Sequence, residues 1–180
     1  MPPSDSSPGP AVASATAASE HPVVHGCKDS GLIPTPDNLA RVVAATLCLV
    51  NKQRAASGLA SVHTKPALRT AATEFSRKMV TENFFGHVSP SGSAPVDRLR
   101  AAGYIRKGHG FSIAENIAAA GGSGATPDAI VAMWMASPGH RANILSPAYR
   151  DTGIGVVAAM PATVGSGPGA TYTQDFGSVT

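Results

Sequence analysis

Two histidines and one glutamate stand in segments where their side chains could act together. His87 and His140 each directly follow a glycine at a predicted turn, and Glu115 is the single acid in the apolar stretch 111–118. Turn residues line clefts more often than residues inside helices do, and an acid in an apolar segment either faces solvent or is buried beside a partner. Two imidazoles and a carboxylate can bind a divalent cation or transfer protons. The sequence therefore predicts a shared His87–Glu115–His140 site; the alternative is three unrelated residues that make local hydrogen bonds.

The rest of the sequence offers few other motifs for chemistry. The remaining histidines lie in the N-terminal segment, just before a predicted helix or between two glycines, and we expect no site from them: they are His21, His25, His63 and His109. No G-x-S-x-G, H-E-x-x-H or Walker motif is present. The segment 153–158 matches a dinucleotide fingerprint by letters, but it continues into a β-branched run instead of opening a helix. We therefore predict that its glycines belong to a strand.

Composition limits the class of protein and the extent of the folded domain. The 14 Lys and Arg against 11 Asp and Glu give a net charge of +3 with no dense cationic run, which argues against nucleic acid as a partner. No run of 18 apolar residues predicts a transmembrane segment. Residues 1–30 are rich in Pro, Ser and Ala and are predicted to be disordered, whereas residues 31–180 are predicted to form one domain. The first 20 residues lack the charged and apolar regions of a signal peptide.

The periodicity predicts helices first and a strand pair last. Four helices are predicted, at 35–58, 64–83, 93–102 and from 126 to a break at 137–139, the last with Ile130, Met133 and Trp134 facing the core. Strands are predicted near 61–63, 111–114, 154–160 and 171–176. This order favours an α+β fold in which helices cover a small antiparallel sheet.

The two cysteines have spacing that suits a disulfide bridge. Cys48 lies on one stripe of the first predicted helix with the small residues Ala44 and Ala45, which would let the segment carrying Cys27 lie against it. A Cys27–Cys48 bridge would stabilise the fold by roughly 3 kcal/mol and would imply an oxidising compartment. The alternative is two buried, reduced thiols.

Four segments occur in an order that resembles a known family. They are FFGHVSP at 84–90, AENIA at 114–118, SPGHRANIL at 137–145 and TQDFG at 173–177. Together they are similar to the CAP superfamily of cysteine-rich secretory, antigen 5 and pathogenesis-related proteins, and to its bacterial SCP-like branch in particular. The resemblance implies an extracellular protein with a three-layer α-β-α sandwich and a small, mainly antiparallel sheet.

The resemblance also implies a cleft lined by His87, Glu115 and His140. Many eukaryotic members have a second acid shortly after the Trp of the fourth helix, but Trp134 is followed here by no acid, so we expect two imidazoles and one carboxylate. Arg141 and Asn143 are assigned to the same cleft, where we expect them to tie its loop to the helix or to Asp175.

The predicted chemistry is weak, reversible binding of zinc or another divalent cation by His87 and His140, with Glu115 orienting an imidazole. The first function hypothesis is a secreted, non-catalytic module that binds a small apolar ligand, a cell-wall component or a protein. The second is a metal-assisted hydrolase in which Glu115 acts as the base. The third is a purely structural domain braced by these residues.

Overall fold

The computed structural model describes residues 26–180. The predicted disorder of residues 1–25 lies outside this range, and residues 26–30 form part of the described structure with Cys27 buried. Five α-helices are described, α1 (Leu39–Ala56), α2 (Pro66–Thr81), α3 (Pro95–Ala101), α4 (Pro127–Ala136) and α5 (Pro138–Ile144), together with a 3₁₀ helix at Gly122–Ala125. The described strands are β1 (His63–Thr64), β2 (Phe111–Gly121), β3 (Asp151–Val157) and β4 (Gly169–Val179). Among the helices of residues 26–180, none combines the length and the hydrophobicity that a membrane span requires.

The four strands form one sheet in the order β1-β3-β4-β2. The short strand β1 is parallel to β3, whereas β3–β4 and β4–β2 are antiparallel. Helices cover both faces, so the predicted α+β fold with a mainly antiparallel sheet is confirmed. The strand predicted at 111–114 is longer than expected, because β2 continues its pairing with β4 as far as Gly121. It lies at the edge of the sheet.

One face of the sheet packs against α1 and α4 through a large apolar cluster. Trp134 is fully buried at its centre and meets Tyr172 edge to face, with ring centroids 6.4 Å apart. The prediction that Met133 faces the core is wrong: its exposed fraction is 45%. Ile130 and Trp134 are four residues apart and define the buried stripe of α4, which leaves Met133 about 100° away from Trp134.

The other face of the sheet packs against α2 and α3 at very short range. A Cβ built on Gly153 would lie 2.1 Å from the backbone carbon of Leu68, and one on Gly155 would lie 2.2 Å from the backbone nitrogen of Thr73. These positions therefore accept only glycine, because the backbone of α2 lies directly on β3. The prediction that these glycines belong to a strand is confirmed. Glycine is required at both positions because α2 packs closely on β3.

The segment before α1 is fixed to that helix by the predicted disulfide. Cys27 and Cys48 are bonded, with their Cα atoms 5.9 Å apart, and the Asp29 carboxylate accepts from the Arg41 guanidinium at 2.6 Å. The helix begins at Leu39, four residues later than predicted, because the side chain of Asn38 accepts from the backbone nitrogen of Thr35 and holds a turn there.

Side chains from the second half of the chain cover the outer edge of β2. Three alternate carbonyls of this strand each accept a hydrogen bond from a side chain: Ile113 from Tyr149 (3.3 Å), Glu115 from Asn143 (3.4 Å) and Ile117 from Trp134 (3.1 Å). The edge of β2 is therefore joined to α4, α5 and the segment after α5.

Candidate histidine–carboxylate site

His87 and Glu115 form a hydrogen-bonded pair at the edge of the sheet. His87 lies in the loop between α2 and α3, as predicted, and its Nδ1 is 2.8 Å from Oε1 of Glu115 on β2. The His87 side chain is 48% exposed, whereas that of Glu115 is 2% exposed. A buried carboxylate accepts from the Nδ1–H of the ring, and this leaves the lone pair of Nε2 available to a ligand.

Arg98 of α3 fixes both members of this pair. Its guanidinium donates to Oε2 of Glu115 at 2.5 Å and to the backbone oxygen of His87 at 3.1 Å. It also stacks on the ring of Phe75, 3.3 Å from the centroid. Sequence reasoning missed Arg98, because nothing in its spacing distinguishes it from the exposed arginines around it.

Asp175 of β4 lies directly opposite Glu115 on the neighbouring strand. The Glu115 carbonyl points away from β4, since it accepts from Asn143, so the two residues form a pair without mutual backbone hydrogen bonds. In such pairs the facing side chains approach most closely. Asp175 is 1% exposed, and burial, together with the negative charge of Glu115, raises its pKa well above the usual range despite Arg98.

A second carboxylate therefore lies beside Glu115, where we expected one carboxylate in the cleft. This second acid comes from β4 and not from the segment after Trp134, and it is buried. Two-residue alternation along β4 would have placed Asp175 on the same face as Thr173, but the register with β2 cannot be derived from that pattern.

His140 reaches the site from the opposite face of the sheet. It lies in the first turn of α5 and not in an isolated turn, because Pro138 starts a new helix immediately after α4. Its Nδ1 is buried and has no hydrogen-bond partner within residues 26–180. Burial lowers the pKa of His140, and the nearby charge of His87 lowers it further. His140 therefore lies near His87 at the edge strand, without a hydrogen bond to His87 or Glu115 within residues 26–180.

The two other predicted cleft residues have different positions. Asn143 joins α5 to β2, since its amide donates to the Asn116 side chain at 2.9 Å as well as to the Glu115 carbonyl. It does not contact Asp175 through a hydrogen bond in the described structure. Arg141 is exposed, and its side chain makes no hydrogen bond or ion pair within 26–180. The expected local tie is therefore present for Asn143 alone.

Arg54 of α1 fixes the position of the C-terminal end of α5. This buried guanidinium donates to main-chain carbonyls at the end of α5 and beyond it, namely those of Ile144 (2.7 Å), Ser146 (2.8 Å) and Tyr149 (3.2 Å). On the sheet side, Asn116 of β2 donates to the backbone oxygen of His140 at 3.2 Å. The short helix that carries His140 is held at both ends.

Nitrogen atoms of two histidines are the donors that the site can offer a cation. No group of three or more His, Cys, Asp or Glu side chains in the part of the chain that the structure describes is arranged to hold a metal ion. Two exposed apolar side chains adjoin His87 in its loop: Phe85 is 42% exposed and Val88 is 54% exposed. The site therefore combines imidazole donors with an apolar rim.

Comparison with known proteins agrees with this architecture. The family model of the cysteine-rich secretory protein (CAP) family matches residues 47–176. The uncharacterized protein YkwD of Bacillus subtilis is 30% identical over 141 residues, which are 78% of this chain and 49% of that protein. The chain thus spans about half the length of the curated relative it matches.

Solved structures have the same fold. An extracellular protein containing an SCP domain from Bacillus anthracis is 25% identical, with a TM-score of 0.57 over 79% of this chain and 43% of that one. An outer surface protein of Borrelia burgdorferi is 16% identical, with a TM-score of 0.64 over 82% of this chain and 97% of that one, and it supports the fold alone. With the family model spanning more than two thirds of its length, the chain belongs to the CAP superfamily and is a CAP-domain protein of the bacterial SCP type.

Proposed function

We propose that this domain is a secreted, non-catalytic binding module whose His87–Glu115–His140 site holds a divalent cation weakly. The observation that carries the proposal is the 2.8 Å hydrogen bond between His87 and the buried Glu115. A carboxylate behind an imidazole fixes the tautomer and the ring orientation and makes the other nitrogen a better ligand. Here that other nitrogen belongs to a half-exposed ring, which a cation can reach from solvent.

His140 supports the proposal as the second donor. Burial and the neighbouring His87 lower its pKa and so favour its neutral form, which is the form of imidazole that binds a metal. Zinc suits two imidazoles, and water would complete its coordination. Two protein donors are fewer than the three usual for catalytic zinc, so the expected affinity is low and binding is reversible.

The apolar rim indicates what the module binds besides the cation. Phe85 and Val88 expose apolar surface on both sides of His87 along the loop. A small apolar ligand, a cell-wall component or a protein with an apolar side chain would cover them while an oxygen of the same partner approaches the cation.

The disulfide bond supports the proposal that the protein is secreted. The Cys27–Cys48 disulfide persists in oxidising compartments and is rare in reducing ones. A similar solved structure is described as an extracellular protein. Both observations support an extracellular location for this chain.

Zinc titration by calorimetry tests the proposal. We expect binding by the unmodified domain, at least tenfold weaker binding by His87→Ala and by His140→Ala, and unchanged binding by His63→Ala, which removes an exposed histidine on β1. Equal zinc affinity in the unmodified, His87→Ala and His140→Ala proteins would contradict the cation site.

A hydrolase remains the second candidate, and one observation favours it: a histidine oriented by a buried carboxylate is the arrangement of a general base. The base would be His87 and not Glu115, because both oxygens of Glu115 are occupied by His87 and Arg98. Turnover of an ester or peptide library that disappears in His87→Ala and persists in His63→Ala would favour this candidate over the binding module.

A further inference from the structure

A basic cleft lies where the end of α3, the loop 102–110 and the start of α2 meet. Two adjoining hollows, of about 310 and 500 Å³, share Arg106 and His109 in their walls. Lys65 lines the first hollow, and Arg100 and Lys107 line the second. None of these residues belongs to the His87–Glu115–His140 site.

The charge of this basic cleft is strongly one-sided. It contains four of the chain's 14 Lys and Arg side chains and a single acid, Asp151. That acid is already engaged, since its carboxylate accepts from the Tyr104 hydroxyl at 3.0 Å and lies 3.7 Å from Nζ of Lys65. Arg106 and Lys107 are exposed and have no carboxylate partner in the described part of the chain. The cleft therefore has positive charge that its own acid does not neutralise.

The walls of the basic cleft also restrict the geometry of its cations. The guanidinium of Arg100 lies over the ring of Phe111, 5.7 Å from the centroid, which limits its side-chain freedom. Ile105 of the same loop is 7% exposed and adds apolar surface to the wall of the second hollow. A concave surface lined by several cations and an apolar side chain suits an organic anion better than it suits a simple salt ion.

We propose that the basic cleft is a second ligand site, which binds phosphate esters through Arg106 and Lys107. A phosphate group carries up to two negative charges and several acceptor oxygens, and a guanidinium matches its geometry with two parallel hydrogen bonds. A carboxylate offers one charge and would leave most of these cations unmatched. The phosphate source is a soluble ester or a lipid headgroup, which share this chemistry.

The test is titration of isotope-labelled protein, followed by amide NMR shifts and signal intensities, with inorganic phosphate, with glycerol 3-phosphate and with phosphatidic acid vesicles, all of which present a phosphate that can carry two charges. We expect the shifts to concentrate in residues 103–111 and the double variant Arg106→Ala/Lys107→Ala to bind at least tenfold more weakly. The matched control is Arg69→Ala/Arg77→Ala, which removes the same charge from a separate hollow of about 220 Å³ that also contains Glu74. We expect this control to change the affinity less than twofold.

The possible outcomes distinguish a soluble ester from a lipid headgroup, and two of them would overturn the proposal. Binding of glycerol 3-phosphate supports the site with a soluble ester, and binding of vesicles alone supports it with a lipid headgroup. Equal weakening by the two double variants would overturn the proposal, because net charge alone would then explain binding. Absence of shifts with all three probes would overturn it as well. The replaced side chains are exposed, and the dispersion of the amide spectrum verifies that each variant is folded.

Discussion

The face of the sheet beneath α1 and α4 is covered by one large apolar cluster, whereas the face beneath α2 and α3 combines two smaller apolar clusters with glycines, hydroxyls and charges. Along β4, Tyr172 and Phe176 point to the first face and belong to its apolar cluster. Thr173 and Asp175 point to the second, where Thr173 accepts from the Ser76 hydroxyl at 2.8 Å. The first face derives its stability from apolar area removed from water, and the second derives its geometry from specific contacts.

This contrast between the two faces limits where a binding site can lie in the fold. An apolar face tolerates exchanges of similar volume, because its packing is not directional. The second face contains charged groups whose burial is tolerable only with partners in fixed positions. The site residues Glu115, Arg98 and Asp175 all belong to this second face, and His140 alone comes from the helices of the first.

The largest expected effect on stability comes from Gly155 of β3, and we compare it with the adjacent residue Ile154. Gly155→Ala should cost about 3 kcal/mol of unfolding free energy or more, because its Cβ would lie 2.2 Å from the α2 backbone. Ile154→Val, on the apolar face, should cost only about 1 kcal/mol. Thermal unfolding measures both changes. Gly31→Ala is the control, since nothing lies within 4 Å of its added carbon, and a Gly155→Ala protein as stable as this control would contradict the close packing.

The second expected effect concerns the ion pair between Arg98 and Glu115, on the face of the sheet beneath α2 and α3. Arg98→Met should destabilise the domain by about 3 kcal/mol, because it leaves the buried carboxylate of Glu115 without its guanidinium partner. Urea denaturation gives the change, and Arg100→Met on the exposed side of α3 is the matched control. The double variant Arg98→Met/Glu115→Gln should recover much of the loss. If it recovers nothing, Arg98 acts through its packing on Phe75 and not through charge.

The smallest expected effect is a stabilisation, caused by Asp175→Asn, and its size depends on pH. Burial and the charge of Glu115 raise the pKa of Asp175, so the folded state retains a proton that the unfolded state releases above about pH 4. Stability is therefore lost as pH rises from that value through the raised pKa. Asp175→Asn removes this loss and should stabilise the domain by about 1–2 kcal/mol at pH 7, with the gain disappearing below pH 4.

Chemical denaturation at pH 3.5 and pH 7 measures this difference. Asp37→Asn replaces an exposed acid and should produce no pH-dependent gain. A stabilisation by Asp175→Asn that is equal at both pH values would contradict a raised pKa in the folded state.

The sequence predicted local features of the fold well. The buried Trp134, the strand glycines of β3 and the Cys27–Cys48 bridge follow from spacing and residue type within short windows. Met133 was misplaced because the ten residues of α4 form fewer than three turns, and an apolar residue beside the buried stripe fits the same pattern. The start of α5 was missed because Pro138 reads equally as a helix breaker and as a first helical residue.

The site was only partly predictable for a different reason. His87, Glu115 and His140 are unusual in their local context, and family resemblance joined them. The sequence around Arg98 and Asp175 gives no sign that either residue belongs to the site. They belong to it because they lie beside Glu115, and this proximity depends on sheet register and helix placement. Those contacts connect residues distant in sequence, which periodicity does not encode.

The hydrogen bonds that Tyr149, Asn143 and Trp134 donate to β2 bear on how copies of this protein meet one another. An exposed border strand templates pairing with a foreign chain, which is the first step of many aggregates. Here three successive outward carbonyls of β2 are already occupied, and the opposite border is the two-residue strand β1. Within residues 26–180, an incoming chain that approached the middle of β2 would find these acceptors already occupied, which disfavours pairing of copies through this part of the strand.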